Sequence, residues 1–298
     1  MKRSTINLLL LGAVIALLMI TLYEPGVESR PEPIKLLSLS ADEVNEITIN
    51  NRLQKSVLLK RDSQQNWQMV EPLQVRANHH KVESVLKILQ QEPTNRFALR
   101  RDKLASYGLD NPQVELILNG EQRLTFGSQT PLNTYRYLQL GDEVLTIKDS
   151  AFYPIASRYT NFIDSKLIPD GALLASITLP EYQIQLTEAG WQAEPFNSEL
   201  KEMDELNGDL IAQWIDQWRY ASSVDIEPIG MTDSEFGEVV VTLRSGEKLR
   251  WSIADQHDGL ILQRPDLGIE YHLSGPQREA LLLPPQPKTQ SLDQEATL

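Results

Sequence analysis

A chain of 298 residues with 41% hydrophobic and 23% charged residues has the composition of a folded protein, long enough for one large domain or two ordinary ones. Its net charge of −13 is spread along the sequence, and no basic run of five or more residues occurs, which excludes the usual footprint of nucleic-acid binding. The lack of cysteine removes disulfide staples, thiol catalysis, zinc–thiolate and iron–sulfur sites and lipoprotein lipidation, and is compatible with an oxidising compartment.

Lys2 and Arg3 precede LLLLGAVIALLMITLY at 8–23, which carries no charge. Counted from Ile6, the apolar run has 18 residues broken only by Asn7, at the short end of what spans a bilayer core of about 30 Å. It ends without an Ala-x-Ala-like cleavage signal. Basic residues before it and Glu24 and Glu28 after it orient the N-terminus toward the cytoplasm, with Tyr23 where an interfacial aromatic belongs. The expectation is a cytoplasmic N-terminus (1–5) and an uncleaved transmembrane signal anchor (6–23). The rest would lie outside the cytoplasm, as the periplasmic part of a single-pass inner-membrane protein. The proline-rich stretch 24–35 is expected to be a linker, and the polar, proline-rich 284–298 a disordered tail.

Between them the sequence repeats itself. EVNEITIN and SVLLKRD alternate as strands do and lead to Trp67; ASITLP and YQIQLTE lead to Trp191. Each Trp-Gln is followed by Glu-Pro, read as the end of a strand and a turn toward a helix, because proline cannot donate to a ladder. HHKVESVLKILQQ sets Val82, Val85, Leu86 and Leu89 on one face, with Asn78 placed to cap it. GDLIAQWIDQWRY stacks Leu210, Trp214 and Trp218 beside Ile211 and Ile215.

NRFAL (95–99) then answers SSVDI (222–226), and SYGL (106–109) answers EFGE (235–238). Two hairpins with two-residue turns, Asn119-Gly120 and Ser245-Gly246, correspond as well. Trp67 to Trp191 is 124 residues, Tyr107 to Phe236 is 129, Gly120 to Gly246 is 126 and Ile147 to Leu273 is 126. Offsets this constant predict a tandem duplication of order ββ–α–ββββ, with modules at 36–150 and 172–283 joined by a connector at 151–171. The predicted class is α+β: two homologous modules, each a mainly antiparallel sheet carrying one amphipathic helix, behind a single transmembrane helix. Trp67, Trp191, Gly108 and Gly237 are the expected structural anchors, with both indoles mostly buried.

Trp67-x-Met69-x-x-Pro72, the amphipathic helix, YGLDNP (107–112), the Phe126-Gly127 hairpin end, YLQL…EVLTI and FIDSKLI (162–168) resemble the bacterial family known as domain of unknown function 4340. The similarity covers about residues 40–170 well and the second module weakly, where Phe236-Gly237-Glu238 stands in place of Tyr-Gly-Leu-Asp. Members of that family are typically envelope proteins with one N-terminal anchor and repeated copies of the domain. Some accompany ABC-transporter systems. The resemblance supplies no catalytic residues.

Chemistry-bearing motifs are sparse. His79 and His80 are adjacent and cannot form the i, i+4 pair of a helical zinc site. His257 lies in a hairpin loop and His272 in a strand, so no metal and no cofactor is expected. No nucleophile elbow, phosphate loop, dinucleotide fingerprint or calcium loop occurs. Trp214, Trp218 and Tyr220 read as core or inter-module packing rather than a sugar platform. The candidate binding surface is Tyr107 and Asp110 of the YGLDNP turn with Tyr135, Arg136 and Tyr137 at the exit of the polar loop GSQTPLNTYRY. The expected function is a non-catalytic, membrane-anchored envelope protein that binds a partner protein, as an accessory of a transporter or other envelope complex. A ligand-binding module for cell-wall glycan or an exported substrate is the alternative, and a hydrolase the third.

Overall fold

The structure is a computed structural model that describes residues 3–23, 35–131, 134–196, 208–230, 235–256 and 259–283. The expected linker (apart from Lys35), the expected tail, His257 and the first two residues lie outside the described residues. The leading helix α1 (Arg3–Tyr23) holds the apolar run, and its leucines from Leu8 to Leu18 are exposed, Leu8 at 72% and Leu17 at 63%. Among the described residues, no helix is long and apolar enough to cross a membrane, the described part of α1 included.

The first module contains β1 (Glu46–Asn51), β2 (Val57–Arg61), β3 (Trp67–Glu71), β4 (Val75–Arg76), α2 (His79–Leu86), β5 (Asn95–Ala98), α3 (Leu104–Tyr107), β6 (Val114–Leu118), β7 (Gln122–Gln129), β8 (Tyr135–Leu140) and β9 (Glu143–Lys148). The short helix α4 (Phe152–Ile155) follows in the connector. The second module contains β10 (Leu174–Thr178), β11 (Tyr182–Thr187), β12 (Gly190–Pro195), α5 (Gly208–Tyr220), β13 (Asp225–Pro228), β14 (Glu235–Leu243), β15 (Lys248–Gln256), β16 (Gly259–Arg264), β17 (Ile269–Ser274) and α6 (Gly275–Leu282).

The first sheet runs β4-β3-β2-β1-β6-β7-β8-β9-β5 and the second β12-β11-β10-β14-β15-β16-β17-β13. With β4 set aside the two orders are identical strand for strand. Every paired strand in both sheets is antiparallel. The architecture is α+β, two antiparallel sheets with helices, and the shared strand order is the structural mark of the duplication.

Several expectations change in detail. Among the described residues, four strands precede the main helix of the first module and three that of the second, and five follow each, one of them a further edge strand, rather than ββ–α–ββββ. The difference begins at Asp62, whose carboxylate accepts from the backbone N–H of Gln64 (2.8 Å) and Asn66 (2.9 Å). That side chain closes a turn, with Gln65 at φ +67, and sends the chain back. Trp67 therefore opens a return strand instead of ending the previous one.

NRFAL and SSVDI fall on β5 and β13, short strands that close the far edge of each sheet by pairing with β9 and β17. Asn119 and Gly120 are both at positive φ, and with Glu121 they form a three-residue connection between the paired Leu118 and Gln122, one residue longer than expected. The second hairpin likewise uses three residues, Arg244 to Gly246. Gly246 donates to the Leu243 carbonyl at 2.9 Å and takes the left-handed position at φ +89.

Asn78 caps α2 as expected, accepting from the Lys81 backbone N–H at 3.1 Å. Val82, Val85 and Leu86 of that helix are buried, as are Ile211, Trp214, Ile215 and Trp218 of α5. Trp67 is 4% exposed; Trp191 packs partly buried against the core. The connector is mortar rather than tether: Ile163 bridges to Ala77 of the first module and Lys166 to Ser222 of the second. Phe162, Ile163, Leu167 and Ile168 are buried in a cluster that includes residues of both modules.

Candidate binding cleft between the modules

Strand alternation builds this site. Trp251 and Leu249 point to the same face of the second sheet as the core residue Ile253, and Tyr271 pairs with the buried Leu262 on that face. α5 and α6 cover other parts of the face, packing on β12 and on β16 and β17. Across from Leu249, Trp251 and Tyr271 stand Met69 of β3, Val75 and Arg76 of β4, and Ile163, Asp164 and Leu167 of the connector. The result is a cleft of about 520 Å³ with walls from both modules.

Three of the charged side chains on its lining, Arg76, Asp164 and Arg264, have ion-pair partners, and Glu247 is exposed on it. Arg76 bonds Asp164 at 3.2 Å and donates to the Lys166 carbonyl at 3.0 Å, while Asp164 also accepts from the Lys166 backbone N–H at 3.1 Å. Arg264 binds Asp266 through two bonds of 2.9 and 2.8 Å, the two-pronged geometry a guanidinium favours. That pairing holds the Asp266 carboxyl below its ordinary value and raises Arg264 further. Burial pushes the Tyr271 phenol up, so it stands neutral in the cleft. The Trp251 side chain is buried, and among the described residues its indole N–H has no acceptor.

The cleft is lined by apolar side chains together with Gln68, Gln74, two arginines, Asp164 and Glu247. Among the described residues no group of three or more His, Cys, Asp or Glu side chains gathers as a metal site.

The surface residues singled out from sequence lie elsewhere. Tyr107 and Tyr137 meet with ring centroids 5.0 Å apart, and Phe97 joins Tyr107 at 5.6 Å. Tyr137 pairs with Thr146 and Phe97 with Val144, so this small cluster sits on the face opposite Leu138 and Leu145. Tyr135 is partly buried and Asp110 exposed.

Arg136 is a partly buried cation held on three sides. It bonds Asp149 at 2.7 Å and the Gly127 carbonyl at 2.6 Å, with its guanidinium 3.7 Å above the Phe152 ring. Burial works to raise the Asp149 carboxyl. Hydrogen bonds from Gln129, Arg136 and Tyr153 outweigh it, and the net shift is downward.

Gly108, expected as a structural anchor, ends α3 in the left-handed conformation, φ +65, with Leu109 buried behind it. Gly237 is not its counterpart. It lies inside β14, at a break in register between Glu235 and Glu238, where a Cβ would come within 2.5 Å of Pro180. The SYGL–EFGE correspondence thus matched a helix stop to a strand bulge.

Trp214 and Trp218 face inward and donate to backbone carbonyls at the end of α6, while Tyr220 is 73% exposed. The cleft residues escaped sequence reasoning because positions 69 and 271 come together only through the sheet order. The one local hint was the apolar FIDSKLI connector, which forms the floor between the modules.

A family model described as Domain of unknown function (DUF4340) matches residues 34–112 and, overlapping, 67–239. No curated protein matches the chain, and no solved structure does.

Proposed function

The chain belongs to the DUF4340 family, and from that premise we propose that it is a non-catalytic binding protein of the cell envelope that receives a segment of a partner protein in the cleft between its modules. The observation carrying this proposal is the cleft, about 520 Å³ and walled from both modules, within the 300–1,000 Å³ range typical of binding sites. One module alone supplies only one wall, so duplication accounts for the site.

In this proposal α1 is the tether. Its leucines from Leu8 to Leu18 are exposed, and the apolar run follows two basic residues, the pattern of a span with its N-terminus in the cytoplasm. Tethering raises the effective concentration of a weak binder near membrane partners, among which transporter-associated envelope proteins are the candidates.

Site-specific photo-crosslinking in intact cells tests the proposal. A photoreactive residue at Gln74 or Glu247, both on the cleft, is expected to capture a discrete protein neighbour. One at Tyr220, outside the cleft, is not, and Leu249→Glu should remove the adduct. The same adducts from all three positions, or none from the cleft, would defeat it.

The cleft volume also favours a second function, binding of a small exported molecule or glycan. Mass spectrometry of gently purified protein would then release a bound compound that Leu249→Glu lacks.

A further inference from the structure

Asp164 is engaged by Arg76 and a backbone N–H, and Arg76 and Arg264 each have a carboxylate partner, so these pairs leave little local charge. Glu247 is exposed on the lining, with the amides of Gln68 and Gln74. Beside the apolar walls two donors stand out. The neutral Tyr271 hydroxyl, between the influence of Arg76 and Arg264, makes no hydrogen bond among the described residues, and the Trp251 indole N–H has no acceptor there. Met69, Val75, Leu167, Leu249 and Leu267 supply apolar walls. An unpaired donor beside apolar surface is matched by an uncharged acceptor set in apolar material. A free anion fits poorly, because the guanidiniums are already neutralised and the chain as a whole carries −13.

We propose, resting on the cleft function above, that the occupant is an extended, uncharged peptide segment with apolar side chains, one of whose backbone carbonyls accepts from the Tyr271 hydroxyl. The apolar walls take its side chains.

The test titrates the full chain in detergent with three probes by calorimetry: the capped peptide acetyl-Leu-Val-Ala-Leu-amide, the same peptide with a free C-terminal carboxylate, and an N-acetylglucosamine tetrasaccharide. The capped peptide is expected to bind, with an affinity that changes little between low and high salt. Tyr271→Phe, which keeps the ring, should weaken it roughly three- to tenfold, and Leu249→Glu should abolish it. Both variants are compared only after thermal unfolding shows them folded; should either fail to fold, Leu267→Gln at the partly buried rim replaces it.

Tighter, salt-sensitive binding of the carboxylate form would show an anion site. Binding of the tetrasaccharide alone would show a glycan site, and no binding by any probe would leave no peptide site; each overturns the proposal. Crosslinks at Gln74 and Glu247 without peptide binding would leave the partner-binding function standing and sink only the peptide chemistry.

Discussion

Trp218 donates its indole N–H to the carbonyl of Leu281 at 3.0 Å, in a fully buried contact. Tyr182 gives its hydroxyl to Leu282 at 3.2 Å and Trp214 its indole N–H to Leu283 at 3.1 Å. Three consecutive carbonyls at the end of α6 are the acceptors a helix C-terminus leaves without partners. The second module fills all three from its aromatic core. The tryptophan stripe on α5 therefore serves to dock the last helix.

Trp218→Phe keeps most of the ring contact and leaves the Leu281 carbonyl without its donor. The expected loss is about 1–3 kcal/mol, against about 3–5 kcal/mol for Trp218→Ala, which also opens a cavity. Urea denaturation followed by circular dichroism measures both. A phenylalanine variant as stable as the parent would show that the hydrogen bond contributes nothing net.

Gly127 and Gly108 interlock across the first module. A Cβ on Gly127 would run into the Tyr107 carbonyl oxygen, and one on Gly108 would lie 2.7 Å from the Ser128 backbone nitrogen. The turn after α3 thus sits directly on the β7 backbone. Gly127→Ala is expected to cost about 1–3 kcal/mol or more, as overpacking does. Gly208→Ala, at the open start of α5 where no atom lies within 4 Å, should be neutral or stabilising by about 0.5 kcal/mol. Equal melting temperatures for the two variants would remove the close contact from consideration.

These contacts show where sequence reasoning reached and where it stopped. Periodicity exposed the strands and both helices, and constant offsets exposed the duplication, because burial of one face imposes the same pattern on each copy. Asn78 as a cap followed from local chemistry. The third strand of the first module was hidden because the Asp62 turn reads as polar loop. Gly237 was misassigned because an aromatic followed by glycine marks a helix stop and a strand bulge alike. Arg136 looked like a surface contact, since nothing local reveals that Asp149, thirteen residues on, will bury it. The cleft needs the whole strand order before its walls meet.

Trp67 and Trp191 occupy equivalent places, each opposite the last residues of the preceding strand, Arg61 for one and Leu186 for the other. Their surroundings differ. Trp67 lies under the Arg61 guanidinium, 4.7 Å from its ring, and β4 pairs alongside β3. β12 is a sheet edge among the described residues. Trp67→Ala should therefore cost about 3–5 kcal/mol, as a buried aromatic does, and Trp191→Ala clearly less. Parallel denaturant titrations decide it; equal losses would mean that the edge tryptophan is as enclosed as its twin.

Asp149 provides a pH dependence with a defined sign. Burial opposes its charge, but the bonds from Gln129, Arg136 and Tyr153 win and hold its carboxyl below the ordinary value. A carboxyl depressed on folding contributes stability that is fully present above its unfolded pKa of about 3.9. That contribution is lost as pH falls through the lower folded value. Asp149→Asn keeps the shape but leaves Arg136, whose side chain is only 12% exposed, buried without its counter-charge. Breaking one side of a buried pair costs about 3–5 kcal/mol, so the variant should be weaker by that order at pH 7. The gap should persist down to about pH 4 and narrow below it, as the parent takes up the proton that the amide never needed. Guanidinium denaturation at intervals from pH 7 to about 2.5 follows the two curves together. A gap that stays constant across that range would mean the carboxylate's charge is not the source of its stability, and that Asp149 acts by packing and neutral hydrogen bonding alone.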